Sequence, residues 1–298
     1  VITQSMPGAG GIKATNFMYN VAKPDGLTMF MPPDTIVISE LLRPKAVKYK
    51  SNDFQWLGTA VQSNSIIVLR ADSGIQTPAD LAGRKVALRA FQTTMSVLVK
   101  GDLKFFYDVP WEDIHWIMEA EEALAWTPPE GTRIDWLNDG RRGADLLLSG
   151  EVDAMIFPHP PREVLEAGDI IRRLFPDPMA EAKRYYDQLG YFPIMHIMAF
   201  RNEVVADNPE LPRAVIGMWE TAKRLAADYY EDPGYSEIAF ARNAMEHQTE
   251  MFGADIWPSG FAVNRKNIAK SIDYSADQGL IGAAYEPERL FHASVLDT

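Results

Sequence analysis

Short apolar runs alternate with segments that carry apolar residues at helical spacing along the first half of the chain. Leu27 to Met31 and Val86 to Leu88 are typical of buried strands, whereas Ile12 to Ala22 and Met95 to Lys100 have the spacing of helices. Strands that alternate with helices in this way favour a parallel sheet with helices packed on both faces. The pattern therefore predicts an α/β fold.

A second set of strands follows, and the last part of the chain is helical. Ile114 to Met118 and Val152 to Phe157 are apolar runs that, together with the Val86 strand, predict a second sheet. The acidic, proline-containing stretch from Glu119 to Arg133 lies between its elements, so we interpret it as an excursion from that sheet. Beyond Ile170 the spacing predicts helices over Met179 to Leu189, Pro209 to Asp228, Tyr235 to His247 and Ile268 to Gln278, with one strand, Ile194 to Phe200, between them.

Composition narrows the classes of partner. The 298 residues, 47% of them hydrophobic and 23% charged, suffice for a sizeable core and predict roughly two domains. The 29 Lys and Arg residues against 41 Asp and Glu give a net charge of -12, which disfavours nucleic acid and anionic lipid surfaces as partners. A small anionic ligand stays compatible with this charge, because local donors and not the summed charge govern a small site.

The sequence lacks the motifs of several kinds of catalytic and binding site. The chain has no cysteine, which excludes disulfides, thiolate nucleophiles and zinc-thiolate sites. The glycines between Pro7 and Gly11 fit neither the Walker nor the dinucleotide spacing, so we predict no cofactor. Glu246, His247 and Glu250 are typical of a solvated helix face, and we predict no metal. No apolar run approaches the length of a bilayer span, so we do not expect a membrane-embedded protein.

The strand, loop and helix from Val86 to Lys100 form the main candidate binding element. Backbone N–H groups at the start of the helix would attract a carboxylate, and Arg89, Gln92 and the hydroxyls of Thr93 and Thr94 add donors. Open α/β sheets bind ligands at the carboxyl ends of their strands. An ordinary capped helix, with Thr93 or Thr94 as N-cap, explains the same residues.

Other strand ends carry polar residues that could meet in one cleft. Pro33 and Asp34 follow the strand at Leu27, where capping of the next helix is the alternative explanation. Pro158 and His159 follow the Val152 strand in a stiff Pro-His-Pro loop, for which a rigid surface loop is the alternative. His196 lies in an apolar strand and is either a core residue or part of the site. Trp257 lines either a pocket or the core.

We therefore predict a ligand-binding set of twelve residues. They are Pro33, Asp34, Asn64, Arg89, Phe91, Gln92, Thr93, Thr94, Pro158, His159, His196 and Trp257.

Two groups of motifs resemble known families. Met6 to Gly11 and Ala22 to Thr28 resemble segments of the extracytoplasmic receptors of tripartite tricarboxylate transporters, a resemblance that reaches about Leu81. From Asp80 onward the chain resembles the 4,5-dihydroxyphthalate decarboxylase family, with Lys100 standing where we expect arginine. The segments that resemble this family are Phe91 to Thr94, Leu148 to Ala154, Phe192 to His196, Gln278 to Leu280 and Glu288 to Phe291.

These resemblances imply a two-domain fold of the type II periplasmic-binding-protein class with a helical C-terminal region. Residues 1–75 and 169–298 would form a discontinuous first domain and residues 76–168 a second, with the ligand in the cleft between them. The receptors begin with a further strand and helix, so we expect Val1 to be an internal start and the first strand to be missing.

Two functions stay open. The first is a periplasmic solute-binding receptor that delivers a small organic carboxylate, aromatic acids included, to a membrane transporter. The second is a cytoplasmic, cofactor-free decarboxylase of an aromatic dicarboxylic acid such as a dihydroxyphthalate, in which His159 or His196 supplies the proton. We expect the receptor rather than the enzyme.

Overall fold

The computed structural model describes residues 6, 12–22, 45–50, 66–122, 126–195, 202–231 and 239–298. The chain divides into two compact units, Val1–Gln62 and Ser63–Thr298. The domain boundaries that the resemblance implies, after residues 75 and 168, stay a prediction.

The described part of the first unit is one short helix that packs against an irregular segment. Helix α1 spans Ile12–Asn20, and Ile12 packs against Val47 and Tyr49. Asn16 donates from Nδ2 to the carbonyl of Ala46 (3.0 Å) and accepts the N–H of Lys48 (2.6 Å). The predicted helix is thus confirmed. The Asn16 side chain links this helix to the irregular segment through hydrogen bonds to its backbone.

The second unit is built on one mixed sheet formed by the six described strands. Their order across the sheet is β4-β3-β2-β5-β1-β6. Neighbouring strands from β4 to β5 run parallel, whereas β1 is antiparallel to both β5 and β6. The strands are β1 (Ile66–Arg70), β2 (Lys85–Leu88), β3 (His115–Met118), β4 (Arg133–Trp136), β5 (Ala154–Phe157) and β6 (Ile171–Arg173).

Helices connect and cover these strands. They are α2 (Thr94–Phe105), α3 (Gly143–Ser149), α4 (Arg162–Glu166), α5 (Pro178–Leu189), α6 (Asn202–Asp207), α7 (Leu211–Glu231), α8 (Ala241–Phe252) and α9 (Phe261–Asp277). Short 3₁₀ turns cover Pro78–Leu81, Trp111–Asp113, Pro287–Leu290 and Ala293–Val295.

Both faces of the central strands are buried, which explains why their sequences are continuously apolar. Val86 and Leu88 belong to one hydrophobic cluster, whereas Ala87 between them belongs to a second. In β5, Ile156 faces the first cluster and Met155 the second. Side chains alternate between the faces of a strand, so a strand covered on both sides needs apolar residues at every position.

Helix α2 is held against α9 by a close backbone approach. A Cβ on Gly101 would lie 2.0 Å from Cδ2 of Tyr274, so only glycine allows this ring to contact the helix. The amide Nε2 of the fully buried Gln278 donates to the carbonyl of Val97 (2.8 Å). The helix that begins at the candidate site is therefore anchored along its length.

The α/β class predicted from the alternating pattern is confirmed. The strands predicted near residues 114 and 152 are β3 and β5, and the predicted helices near residues 179, 209 and 268 are α5, α7 and α9. Strand β4 begins at the end of the stretch interpreted as an excursion, and β6 lies where increasing helicity was expected. The strand predicted at Leu27 to Met31, and most of that at Ile194 to Phe200, lie outside the described residues.

Candidate functional site

Three connecting segments begin at the same edge of the sheet. Strands β3, β2 and β5 are parallel neighbours, so their carboxyl ends lie side by side. Residues 89–93, 119–122 and 158–161 follow these three strands. This edge is where parallel α/β sheets bind ligands, because the N-termini of the following helices also point there.

The loop 89–93 leads directly into α2. Its start is fixed by the N–H of Ala120, which donates to the carbonyl of Arg89 (2.8 Å). Its end is fixed by Thr93, whose Oγ1 accepts the N–H of Ser96 (3.4 Å) and shares a hydrogen bond with the Ser96 hydroxyl (2.7 Å). Thr93 is therefore the N-cap, one of the two residues predicted for that role.

A carboxylate of the protein itself occupies the N–H groups of this loop. The N–H of Phe91 donates to Oε1 of Glu122 (2.7 Å), and the N–H of Gln92 donates to Oε2 (3.0 Å). Each oxygen of one carboxylate thus receives one of two consecutive N–H groups. The loop has the spacing and direction of donors that a carboxylate requires.

Behind the loop lies a fully buried lysine. Nζ of Lys100 donates to the carbonyl of Phe91 (2.7 Å) and lies over the ring of the same residue. Burial lowers the pKa of Lys100 well below its usual value, and the negative charge of Glu122 opposes this effect. The lysine and the carboxylate therefore influence each other across a single peptide group.

The Phe91 side chain belongs to the core. Its ring stacks on Trp126, with 4.4 Å between centroids, and meets Trp111 edge-on at 5.5 Å. The indole Nε1 of Trp126 donates to the carbonyl of Gly279 (3.2 Å). Phe91 thus offers its backbone N–H to the loop, whereas its side chain is fully buried.

A second carboxylate sits at the start of α3. Oε1 of Glu119 accepts the N–H of Gly143. A Cβ on Gly143 would lie 2.8 Å from Cβ of Ala87 and 2.9 Å from this oxygen, so the approach requires glycine. Burial raises the pKa of Glu119, although the Gly143 N–H and the charges of Arg89 and Arg142 oppose the rise. Glu119 ties β3 to α3 beside the candidate loop.

The structure brings part of the predicted ligand-binding set to this edge. Arg89 and Thr94 are exposed at the two ends of the loop, and Gln92 is half-buried between them. Pro158 is half-buried and His159 is exposed, directly after β5. These residues have the access that a ligand would need, and their role in binding stays a prediction.

The other predicted residues lie elsewhere or outside the described ranges. Trp257 follows α8; its ring contacts Phe192, with 5.7 Å between centroids, and its carbonyl accepts Nζ of Lys223 (2.7 Å). Pro33, Asp34, Asn64 and His196 are outside the described residues.

Glu122 and Lys100 were missing from the predicted set. Glu122 lies 30 residues after Gln92, so only the pairing of β3 with β2 brings it to the loop. Its acidic neighbourhood was visible in the sequence, but its partner was not. A buried lysine follows no local rule, because lysine at this helical position is equally compatible with solvent.

Over the described ranges, no three His, Cys, Asp or Glu side chains are grouped as a metal site would need. In the same ranges, no helix combines the length and apolar character needed to cross a membrane. Glu246 and Glu250 lie beside Arg242 and His247 respectively, on an exposed face of α8.

At this edge an α/β protein holds its own Glu122 carboxylate on two backbone N–H groups at the end of a central strand. No protein-family model matches the chain. It is similar to a 4,5-dihydroxyphthalate decarboxylase of Comamonas testosteroni, 29% identical over 243 residues that cover 79% of this chain and 74% of that protein. A protein of the same name from Pseudomonas putida is 26% identical over 131 residues, 42% of this chain and 51% of its own. This similarity agrees with the motifs found after Asp80.

Solved structures with a similar arrangement include two periplasmic sulfonate-binding proteins called SsuA. The one from Methylobacillus flagellatus has a TM-score of 0.46 and 18% identity, over 76% of this chain and 62% of that chain. The one from Escherichia coli has a TM-score of 0.39 and 14% identity, over 78% and 70%. Because both TM-scores are below 0.5, nothing about this site follows from them.

Proposed function

We propose that this protein binds a small organic carboxylate on the N–H groups of Phe91 and Gln92 and acts as a solute-binding receptor. The observation that supports the proposal is the Glu122 carboxylate, which already occupies these two donors at 2.7 and 3.0 Å. A ligand carboxylate would replace the Glu122 carboxylate on the same two N–H groups. Arg89, Thr94 and His159 at the same edge would then contact the rest of the ligand.

The energetics of this exchange favour a ligand with more than one contact. Hydrogen bonds to a charged group contribute about 1.5–3 kcal/mol each, and the start of a helix adds about 0.3–1 kcal/mol for a nearby anion. Glu122 makes the same interactions with the loop, so their free energies cancel when a ligand carboxylate replaces Glu122. The net affinity must come from the ligand's second charge or its carbon skeleton, which favours dicarboxylates and aromatic acids.

The proposal includes a cellular location and a transporter partner for the receptor. The resemblance of Met6 to Gly11 and Ala22 to Thr28 to receptors of tripartite tricarboxylate transporters supports a periplasmic location and delivery of the ligand to a membrane transporter.

Calorimetric titration tests the binding proposal. Phthalate, an aromatic dianion, is compared with phthalamide, its neutral diamide, and with citrate and 4-hydroxybenzoate. We expect one or more of the carboxylates to bind at 1:1 stoichiometry and phthalamide to give no heat of binding. If neutral solutes bind and none of the carboxylates does, the proposal is wrong.

A substitution locates the site. Thr94→Glu places a negative charge at the exposed first residue of α2 and should weaken carboxylate binding at least about tenfold, or 1.4 kcal/mol. Thr249→Glu, at an exposed position of α8, is the matched control and should bind as the unmodified protein does. Equal loss in both variants would exclude the loop as the site.

The names of the two relatives favour decarboxylation as a second candidate function. In that reaction the bond between a ring carbon and its carboxylate breaks, carbon dioxide leaves, and the electron pair on the ring carbon takes a proton. His159, exposed directly after β5, and His196 are the proposed proton donors.

Proton NMR of 4,5-dihydroxyphthalate incubated with the purified protein distinguishes the two functions. An enzyme would produce a new aromatic proton signal and carbon dioxide, and His159→Asn would slow their formation. A protein that binds the compound and leaves it unchanged is a receptor.

A further inference from the structure

The peptide group between Phe91 and Gln92 has a partner on each of its two sides. Its carbonyl accepts Nζ of Lys100 at 2.7 Å, and its N–H donates to Glu122 at 3.0 Å. In a trans peptide the carbonyl and the N–H point in opposite directions. Whatever fixes the carbonyl towards the core therefore also fixes the N–H towards the candidate site.

We propose that Lys100 is a positioning residue for the carboxylate site. It donates to the Phe91 carbonyl and so holds the Phe91–Gln92 peptide with its N–H facing the carboxylate. This inference rests on the proposed function, because it assigns to Lys100 the orientation of the donors that a ligand would use.

Packing alone does not account for a lysine at this position. Lys100 is fully buried on a helix face shared with Ser96, Val97 and Leu103, where an apolar residue of similar length would fill the space without desolvating an amine. What lysine adds is a hydrogen-bond donor at the end of a long side chain. Its Nζ donates to the Phe91 carbonyl and lies over the Phe91 ring.

The lysine should also strengthen the donor that it orients. A hydrogen bond to a carbonyl polarises the peptide, which makes the N–H of the same peptide a better donor by roughly 10–30% per bond in a connected chain. If the peptide turned over, its carbonyl oxygen would face the carboxylate and repel it. The contact with Lys100 opposes that rotation.

Glu122 provides an internal probe that requires no added ligand. In protein labelled with ¹⁵N-glutamine, ¹⁵N-phenylalanine and ¹⁵N-tryptophan, Lys100→Met should shift the Gln92 amide proton upfield and accelerate its hydrogen exchange at least about tenfold. The variant removes one partner of the Lys100–Glu122 pair, so circular dichroism first checks that it folds, and Glu122→Gln tests the same contact with Lys100 in place. The Trp116 indole N–H, which donates to the Trp111 carbonyl in the core, is the internal control for global loosening.

A second variant leaves Lys100 in place. Glu122→Gln removes the negative charge that favours the protonated amine, so the ¹⁵Nζ resonance of Lys100 should titrate at lower pH than in the unmodified protein. Glu121→Gln, with the same change of charge at an exposed neighbour, should leave that titration unchanged.

The outcomes separate this inference from the proposed function. An unchanged Gln92 amide in Lys100→Met, or equal acceleration of Gln92 and Trp116 exchange, overturns the positioning role. So does a Lys100 titration that Glu122→Gln does not move. If these amide effects occur while no carboxylate binds in calorimetry, the positioning role holds and the receptor proposal fails.

Discussion

A half-buried carboxylate on α2 gives the protein a defined pH dependence of stability. Asp102 lies on α2, and its Oδ1 accepts the hydroxyls of Tyr185 (3.1 Å) and Tyr274 (2.8 Å). Burial raises the pKa of Asp102 from 3.8 to about 6, whereas the two hydroxyls and the charge of Lys270 oppose the rise. This carboxyl joins α2 to α5 and α9, so its ionisation affects the packing of the helix that begins at the site.

Proton linkage gives the sign and the size of the contribution that Asp102 makes to the free energy of unfolding. The native state binds the proton more tightly than the unfolded state, so the stabilising contribution is complete below pH 3.8 and is lost as the pH rises through about 6. A pKa difference of about 2 corresponds to about 3 kcal/mol at 1.36 kcal/mol per unit. The residue is only partly shielded from solvent, so we expect about 2 kcal/mol.

Asp102→Asn removes the ionisation and keeps an oxygen for the tyrosines. Urea unfolding at pH 4.0, 5.0, 6.0 and 7.5 should show the free energy of unfolding of the variant rising relative to the unmodified protein by about 2 kcal/mol across this range. Asp228→Asn, at an exposed position of α7, should show no such trend. A difference between Asp102→Asn and the unmodified protein that is constant with pH, or that changes in the opposite direction, would refute the reasoning.

Two further substitutions test the packing and the site. Gly101→Ala should lower the free energy of unfolding by about 3 kcal/mol in urea titrations, because its Cβ would overlap the Tyr274 ring. Gly217→Ala, where no atom lies within 4 Å, should instead raise it by about 0.5–1 kcal/mol. Glu122→Gln weakens the internal competitor and should tighten phthalate binding about tenfold in calorimetry, as loss of charge-assisted bonds implies. Glu121→Gln should leave the affinity unchanged, and equal tightening in both variants would mean that only net charge matters.

The sequence predicted the elements whose signal is local. Strand β2, helix α2 and the cap at Thr93 could be identified because an apolar run, helical spacing and an N-cap residue lie within a few positions of one another. Strand β4 was not predicted because its residues are mostly exposed at the edge of the sheet, and exposed residues need no apolar pattern. Strand β6 has only three residues, too few for a period to be visible.

That residues 89–93 bind a ligand stays a prediction, and the sequence indicated this loop without indicating its contacts. The loop at residues 89–93 was chosen from its place after a strand, and the structure orients its N–H groups as a carboxylate site requires. Phe91 was expected to contact the ligand, yet an apolar residue at a strand end can equally turn into the core, where its ring packs against two tryptophans. Glu122 reaches the loop through strand pairing alone, which local sequence does not encode.

Titration of labelled protein with phthalate tests the central claim most directly. The amide signals of Phe91 and Gln92 are followed by ¹H–¹⁵N correlation spectra, with phthalamide as the neutral control. If the ligand carboxylate replaces Glu122 on these donors, both amides shift and saturate with the dissociation constant that calorimetry gives, and phthalamide moves neither. Saturable binding of phthalate that leaves both amides unmoved would contradict the assignment of the carboxylate site to this loop.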